Sequence, residues 1–258
     1  MMRFRYSFKT RIEYDREIGR QDFLLRAVPS ETAFQRISNS SLTVSGCCNL
    51  SRQSDSFGNP LQYGRVNESL NFFEFVSDGV VSQTEYCIRG GYNPIFLYET
   101  YLTRASPKMR DFFGGIDLSS ASNAYGCAAS ICRALAKRVL FKAGATDVGT
   151  TAAEAFDISR GVCQDFAHMA VSLCRCAKIP ARYANGLMIG DGESHAWIEI
   201  WDGSAWRAFD PANNVPVKYG YIKISSGRDC ADCSLNRGVI SAVAKQTIKT
   251  TVKVSEVI

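Results

Sequence analysis

Three short stretches of this chain hold residue types that could do chemistry together. Cys163 sits in Gly161-Val162-Cys163-Gln164-Asp165-Phe166-Ala167-His168, His195 in Ser194-His195-Ala196-Trp197, and Asp210 in Phe209-Asp210-Pro211. A thiol, an imidazole and a carboxylate are the parts of nucleophilic acyl transfer: the thiolate attacks, the imidazole moves the proton, and the carboxylate orients and charges the imidazole. Each residue alone also has a structural reading, as a core cysteine, a strand histidine or a turn aspartate. Only their conjunction points to catalysis.

The elements that must position them can be read from spacing. Phe166, Ala167, Ala170, Leu173, Cys174 and Ala177 recur at three and four residues, which predicts a helix opening at Cys163 and stopped by Pro180. A thiol in the first helical turn meets the positive end of the macrodipole and free backbone N–H groups, which favour thiolate. The Cys163 N–H is itself a candidate oxyanion donor. Residues 181–189, 195–201 and 205–210 read as strands.

If Asp202-Gly203 forms a two-residue hairpin turn, residues whose numbers sum to 405 face one another, and His195 lies directly opposite Asp210. Opposed residues share a face with Cβ atoms about 5 Å apart, close enough for a carboxylate to bond an imidazole nitrogen. Ala196, Ile198 and Ile200 then take the other face, a natural side for packing against the Cys163 helix or an outer layer.

Other polar residues of the motif receive lesser roles. Asp165 falls in the first helical turn, where a carboxylate caps backbone N–H groups. His168 lies five residues past Cys163, about 140° round the helix, and is expected to be structural and to bond a backbone group. Gln164 and Trp197 are the candidate substrate-wall or oxyanion residues.

The first ninety residues are β-rich. Short runs at 3–14, 23–29, 41–44, 70–76 and 80–88 carry β-branched and aromatic residues, with turn chemistry at Ser56-Phe57-Gly58-Asn59-Pro60 and Ser77-Asp78-Gly79. An antiparallel sandwich is expected there. The texture changes after Gly90-Gly91-Tyr92-Asn93-Pro94: residues 124–139 carry Ile131, Leu135 and Val139 at helical spacing, and 152–156 a shorter turn. The fold class is therefore α+β, with a β-rich module over 1–95 and a catalytic domain over 96–258.

Composition removes several function classes. In 258 residues, 30 basic against 25 acidic side chains give +5, without a dense Lys/Arg run that would favour nucleic acid. No stretch has the length of a membrane span, and the N-terminus alternates charge with aromatics rather than forming an export signal, so a soluble cytoplasmic protein is expected. Ten cysteines are then expected to be free thiols. Cys174-Arg175-Cys176 and Cys230-Ala231-Asp232-Cys233 lack the matching ligands of a zinc site and read as inert, so neither metal nor cofactor is expected. A Gly-rich phosphate loop ending in Lys-Ser or Lys-Thr is absent.

The residues from Gly161 to Asn213 resemble the bacterial transglutaminase-like superfamily of cysteine enzymes, whose members carry Gly-Val-Cys-Gln-Asp-Phe-Ala-His, Ser-His-Ala-Trp and Phe-Asp-Pro as this chain does. Gly144-Ala145-Thr146 and Glu154-Ala155 also fall where the family has similar residues, and the first ninety residues look like its N-terminal module. The resemblance implies a papain-like core, Cys163 as nucleophile, His195 as general base and acid, and Asp210 as the group that orients the imidazole. Phe141 and Ala143 depart from the family's aromatic hydroxyl and proline.

The implied reaction is attack on a peptide or protein amide, giving a thioester that water or an amine resolves. Hydrolysis is favoured over transamidation because water needs no acceptor pocket. A catalytically idle peptide-binding scaffold and an amide-bond-forming enzyme working with a partner ligase are the other readings.

Overall fold

The structure is a computed structural model that describes residues 1–47 and 49–257. Its N-terminal part is built on alternation. In the strand Met2–Ile18, Phe4, Tyr6, Phe8, Thr10, Ile12 and Tyr14 point inward while the residues between them face outward or lie half-buried. That strand sits in a five-stranded antiparallel sheet ordered Gly190–Gly192, Gln246–Glu256, Met2–Ile18, Leu70–Gln83, Gln35–Val44. A four-stranded sheet, ordered Asn236–Ile240, Gln21–Leu25, Pro60–Val66, Ser51–Ser54, supplies Phe23, Leu25 and Val66 to the same core.

One expectation changes here. Ser77-Asp78-Gly79 is not a turn: Leu70–Gln83 runs through it as one strand, paired with Met2–Ile18 on one side and Gln35–Val44 on the other. Hydrogen bonding along both edges outweighs the local turn preference of three residues. Across the boundary expected near residue 95, Asn236–Ile240 and Gln246–Glu256 return from the C-terminal part to pair with Gln21–Leu25 and Met2–Ile18. A short segment from before that boundary, Ile88–Arg89, pairs with Ala205–Asp210 in the core sheet.

The core sheet is ordered Val215–Pro216, Ala205–Asp210, His195–Trp201, Ala181–Met188, Tyr221–Gly227. On one face lies the helix Cys163–Cys176, which also touches the helices Pro107–Gly114, Ala124–Arg138 and Ala152–Ile158. Enclosed by helices and sheet, it is buried almost all round, from Phe166 through Arg175. It ends before Pro180, with Lys178 in the left-handed region at φ 59°. The opposite face is covered by Phe34 and Tyr86 from the N-terminal part, which pack with Trp197, Ala208 and Tyr221. The catalytic-type strands thus have a helix in front and the β-rich module behind.

Candidate active site

The hairpin 195–210 forms as expected in its strands, His195–Trp201 and Ala205–Asp210, but its turn is one residue further along. Ile198 pairs with Phe209, Glu199 with Ala208, Ile200 with Arg207 and Trp201 with Trp206, so paired numbers sum to 407. The corners are Gly203 and Ser204, closed by the Asp202 N–H donating to the Ala205 carbonyl at 3.0 Å. Gly203 takes φ 105°, which favours glycine at the first corner, while Asp202 Oδ1 accepts from the N–H groups of Ser204 and Ala205, each at 2.8 Å. A register change of two keeps every side chain on its face. Asp210 is therefore diagonal to His195 rather than opposite, and still on its side of the sheet.

The two side chains meet: His195 Nε2 and Asp210 Oδ2 are 2.6 Å apart. Asp210 is fully buried, and its oxygens accept four further hydrogen bonds. Oδ1 takes the N–H groups of Ala212 (3.0 Å) and Asn213 (3.1 Å); Oδ2 takes the Asn213 amide (2.7 Å) and the Tyr221 hydroxyl (2.8 Å). Burial alone would raise the carboxyl, but the His195 and Asn213 bonds outweigh it and hold Asp210 below the usual carboxylate range. Burial by itself lowers His195, yet its bond to Asp210 and the neighbouring Cys163 sulfur win and carry it up to about 10. An imidazole so placed is a cation at neutral pH.

Cys163 is the first residue of its helix, as expected, after Val162 in extended conformation. Asp165 caps that start: its Oδ2 accepts the Val162 N–H at 2.7 Å and the Thr146 hydroxyl at 2.7 Å. Gly161 belongs to this device, because a Cβ there would stand 2.6 Å from Asp165 Oδ2. The helix packs on the sheet face carrying Ala196, Ile198 and Ile200, whereas His195 is on the other face. Thiol and imidazole come together because His195 is the first residue of its strand and reaches round the sheet's end. Both line a cleft of about 330 Å³, together with Val148, Gln164, Tyr183, Glu193 and Cys230.

The remaining candidates separate clearly. Gln164 does line the cleft, its Nε2 donating to the Val148 carbonyl at 3.4 Å. Trp197 does not: it is fully buried on the back of the sheet, and its indole N–H donates to Tyr86 OH at 3.1 Å, so it is corrected from substrate contact to packing residue. That Tyr86 hydroxyl donates to Glu199 at 2.5 Å, and Glu199 in turn binds Lys223 at 2.8 Å and Arg182. Strand alternation placed Trp197 correctly on the His195 face; the tertiary cover from Tyr86 and Phe34 decided that this part of the face is closed.

His168 is completely buried and accepts the Cys230 N–H on Nε2 at 3.1 Å, bonding a backbone group. Burial pushes it down to about 4. The thiols of Cys230, Cys174 and Cys233 are instead pushed up by burial, the first two to about 12. Among the described residues no three His, Cys, Asp or Glu side chains are grouped to hold a metal ion. Tyr221 and Asn213, which hold Asp210, were not singled out from the sequence. Asn213 is three residues past Asp210, an asparagine spacing that marks a carboxylate-capped turn; Tyr221 had no local signal.

Comparison with known proteins agrees with this architecture. Residues 116–211 match the model of the transglutaminase-like superfamily core, and residues 4–82 match that of the bacterial transglutaminase-like N-terminal region. An uncharacterized protein of Mycobacterium leprae is 38% identical over 108 residues, covering 38% of each chain. One of Mycobacterium bovis is 30% identical over 138 residues, covering 46% of this chain and 44% of its own. The match thus spans less than half the length of these relatives. Among solved structures, one from Cytophaga hutchinsonii described as a "putative cysteine protease" superposes with TM-score 0.85 at 23% identity, over 99% of this chain and 90% of its own, a likeness of fold.

Proposed function

Because the chain belongs to the transglutaminase-like superfamily, we propose that it is a cysteine-nucleophile enzyme acting on peptide or protein amides, with Cys163, His195 and Asp210 as its catalytic residues. The observation that carries the reading is the 2.6 Å His195–Asp210 couple, whose imidazole shares a cleft with a thiol at a helix start. With His195 Nε2 bonded to Asp210, the other ring nitrogen is the one available to the sulfur. The Cys163 thiolate attacks the amide carbonyl, the imidazolium gives its proton to the leaving amine, and a thioester remains on sulfur. Water then resolves the thioester with His195 as base. Hydrolysis is favoured over transfer to an amine, since water requires no second pocket.

No helix among the described residues is long and apolar enough to cross a membrane. A cytoplasmic site of action is part of the same proposal, consistent with nine described cysteines that are all free thiols.

Iodoacetamide labelling read by mass spectrometry tests the reading. Cys163 should be alkylated ahead of the other cysteines well below pH 8, and the preference should vanish when His195 is replaced. Labelling of Cys163 at the same rate as the remaining thiols would sink the thiolate–imidazolium pair and the mechanism with it.

A further inference from the structure

Acyl transfer at Cys163 throws negative charge onto the former carbonyl oxygen, and that charge needs donors. The first turn of the Cys163–Cys176 helix provides backbone N–H groups, those of Cys163 and Gln164, which by position have no acceptor within the helix. A side chain of another element faces the same space. Tyr183 belongs to the strand Ala181–Met188 and lines the cleft with Cys163, Gln164 and His195. Its strand is paired on both edges there, with Ile198 and Gly227 opposite, and its ring stands 5.3 Å from the His168 imidazole, so the side chain is held firmly.

Tyr183 is only 4% exposed, yet its hydroxyl makes no hydrogen bond to any described residue. A buried phenol ordinarily finds a partner. The oxygen is not among the sealed unpaired atoms of the interior, so the little surface it keeps is at the cleft it lines. Burial pushes its ionisation well above the usual phenol range, and the nearby sulfur of Cys163 adds to this, so the hydroxyl keeps its proton and stays a donor.

We propose that the Tyr183 hydroxyl is an oxyanion donor for acyl transfer at Cys163, acting beside the Cys163 backbone N–H. The proposal rests on Cys163 being the nucleophile. As the sulfur–carbon bond forms, the carbonyl π pair moves onto oxygen, and Tyr183 donates a hydrogen bond to it without releasing its proton. When the pair returns, the carbon–nitrogen bond breaks and His195 protonates the departing amine.

Tyr183→Phe removes the hydroxyl and keeps the ring and its contact with His168. With p-nitrophenyl acetate as acyl donor, the burst of p-nitrophenolate from the variant should be about 100-fold slower than from the parent chain, the order expected for a lost oxyanion donor. Alkylation of Cys163 by iodoacetamide passes through no oxyanion, and its rate and pH profile should stay within about twofold of the parent, a window far narrower than the oxyanion effect. Equal burst rates overturn the proposal. So does a fall in alkylation as large as the fall in acylation, which would mean that the hydroxyl merely positions the thiol. A parent chain whose Cys163 gives no burst and no preferential alkylation overturns the nucleophile itself, which separates that failure from this one.

Discussion

The two histidines of the chain are both enclosed, and the fold drives them in opposite directions. His168, fully buried in the Cys163 helix, has a backbone N–H as its partner and is held down to about 4, where it is neutral. His195, 12% exposed at the end of its strand, has a buried carboxylate as partner and is carried up to about 10. Burial lowers both. The outcome is decided by whether a charge sits at the other end of the hydrogen bond, and Asp210 keeps its charge because Ala212, Asn213 and Tyr221 also bond to it.

The sharpest way to break this comparison is to remove each ring in turn. His195→Ala should slow iodoacetamide alkylation of Cys163 near pH 6 by about 100-fold, because the cationic partner of the sulfur is gone. His168→Phe should leave that rate within about twofold per folded molecule and instead cost about 1–3 kcal/mol in urea unfolding, since the Cys230 N–H loses its acceptor. Equal losses of alkylation in the two variants would erase the distinction.

Stability against pH gives the next largest contrast, with opposite signs. His168 is neutral in the fold while the unfolded chain takes up a proton near 6.5, so stability present above that value is lost as pH falls toward about 4. The loss is about 3 kcal/mol. His195 behaves inversely: its contribution is complete below about 6.5 and is lost as pH rises toward about 10. Urea unfolding between pH 4 and pH 10 should show His168→Phe flattening the acid limb and His195→Ala the alkaline one.

The smallest effect concerns what supports the carboxylate. Tyr221→Phe takes one donor from Asp210 Oδ2, leaving a more basic carboxylate that grips the imidazolium harder. The alkaline limb of the Cys163 acylation profile should move upward by roughly 0.5 in pH, with about 1 kcal/mol lost from folding. An unmoved limb would reduce Tyr221 to a packing residue.

Local signals in the chain were enough for the helix start at Cys163, the strands 195–201 and 205–210, and the shared face of His195 and Asp210. Those features depend on capping, on alternation and on a parity that survives a turn shifted by one residue, all properties of a few neighbouring residues. Asp165 as a cap and His168 as a backbone acceptor were legible for the same reason.

The tertiary structure alone decided the rest, because it depends on elements distant in the chain. Trp197 became interior when Tyr86 closed over it, Tyr221 came to Asp210 from the far edge of the core sheet, and the strands at 236–240 and 246–256 returned to the N-terminal sheets. Tyr183 had no sequence signature as a donor. Only the packing of the Cys163 helix against the sheet left its hydroxyl facing the cleft without a partner.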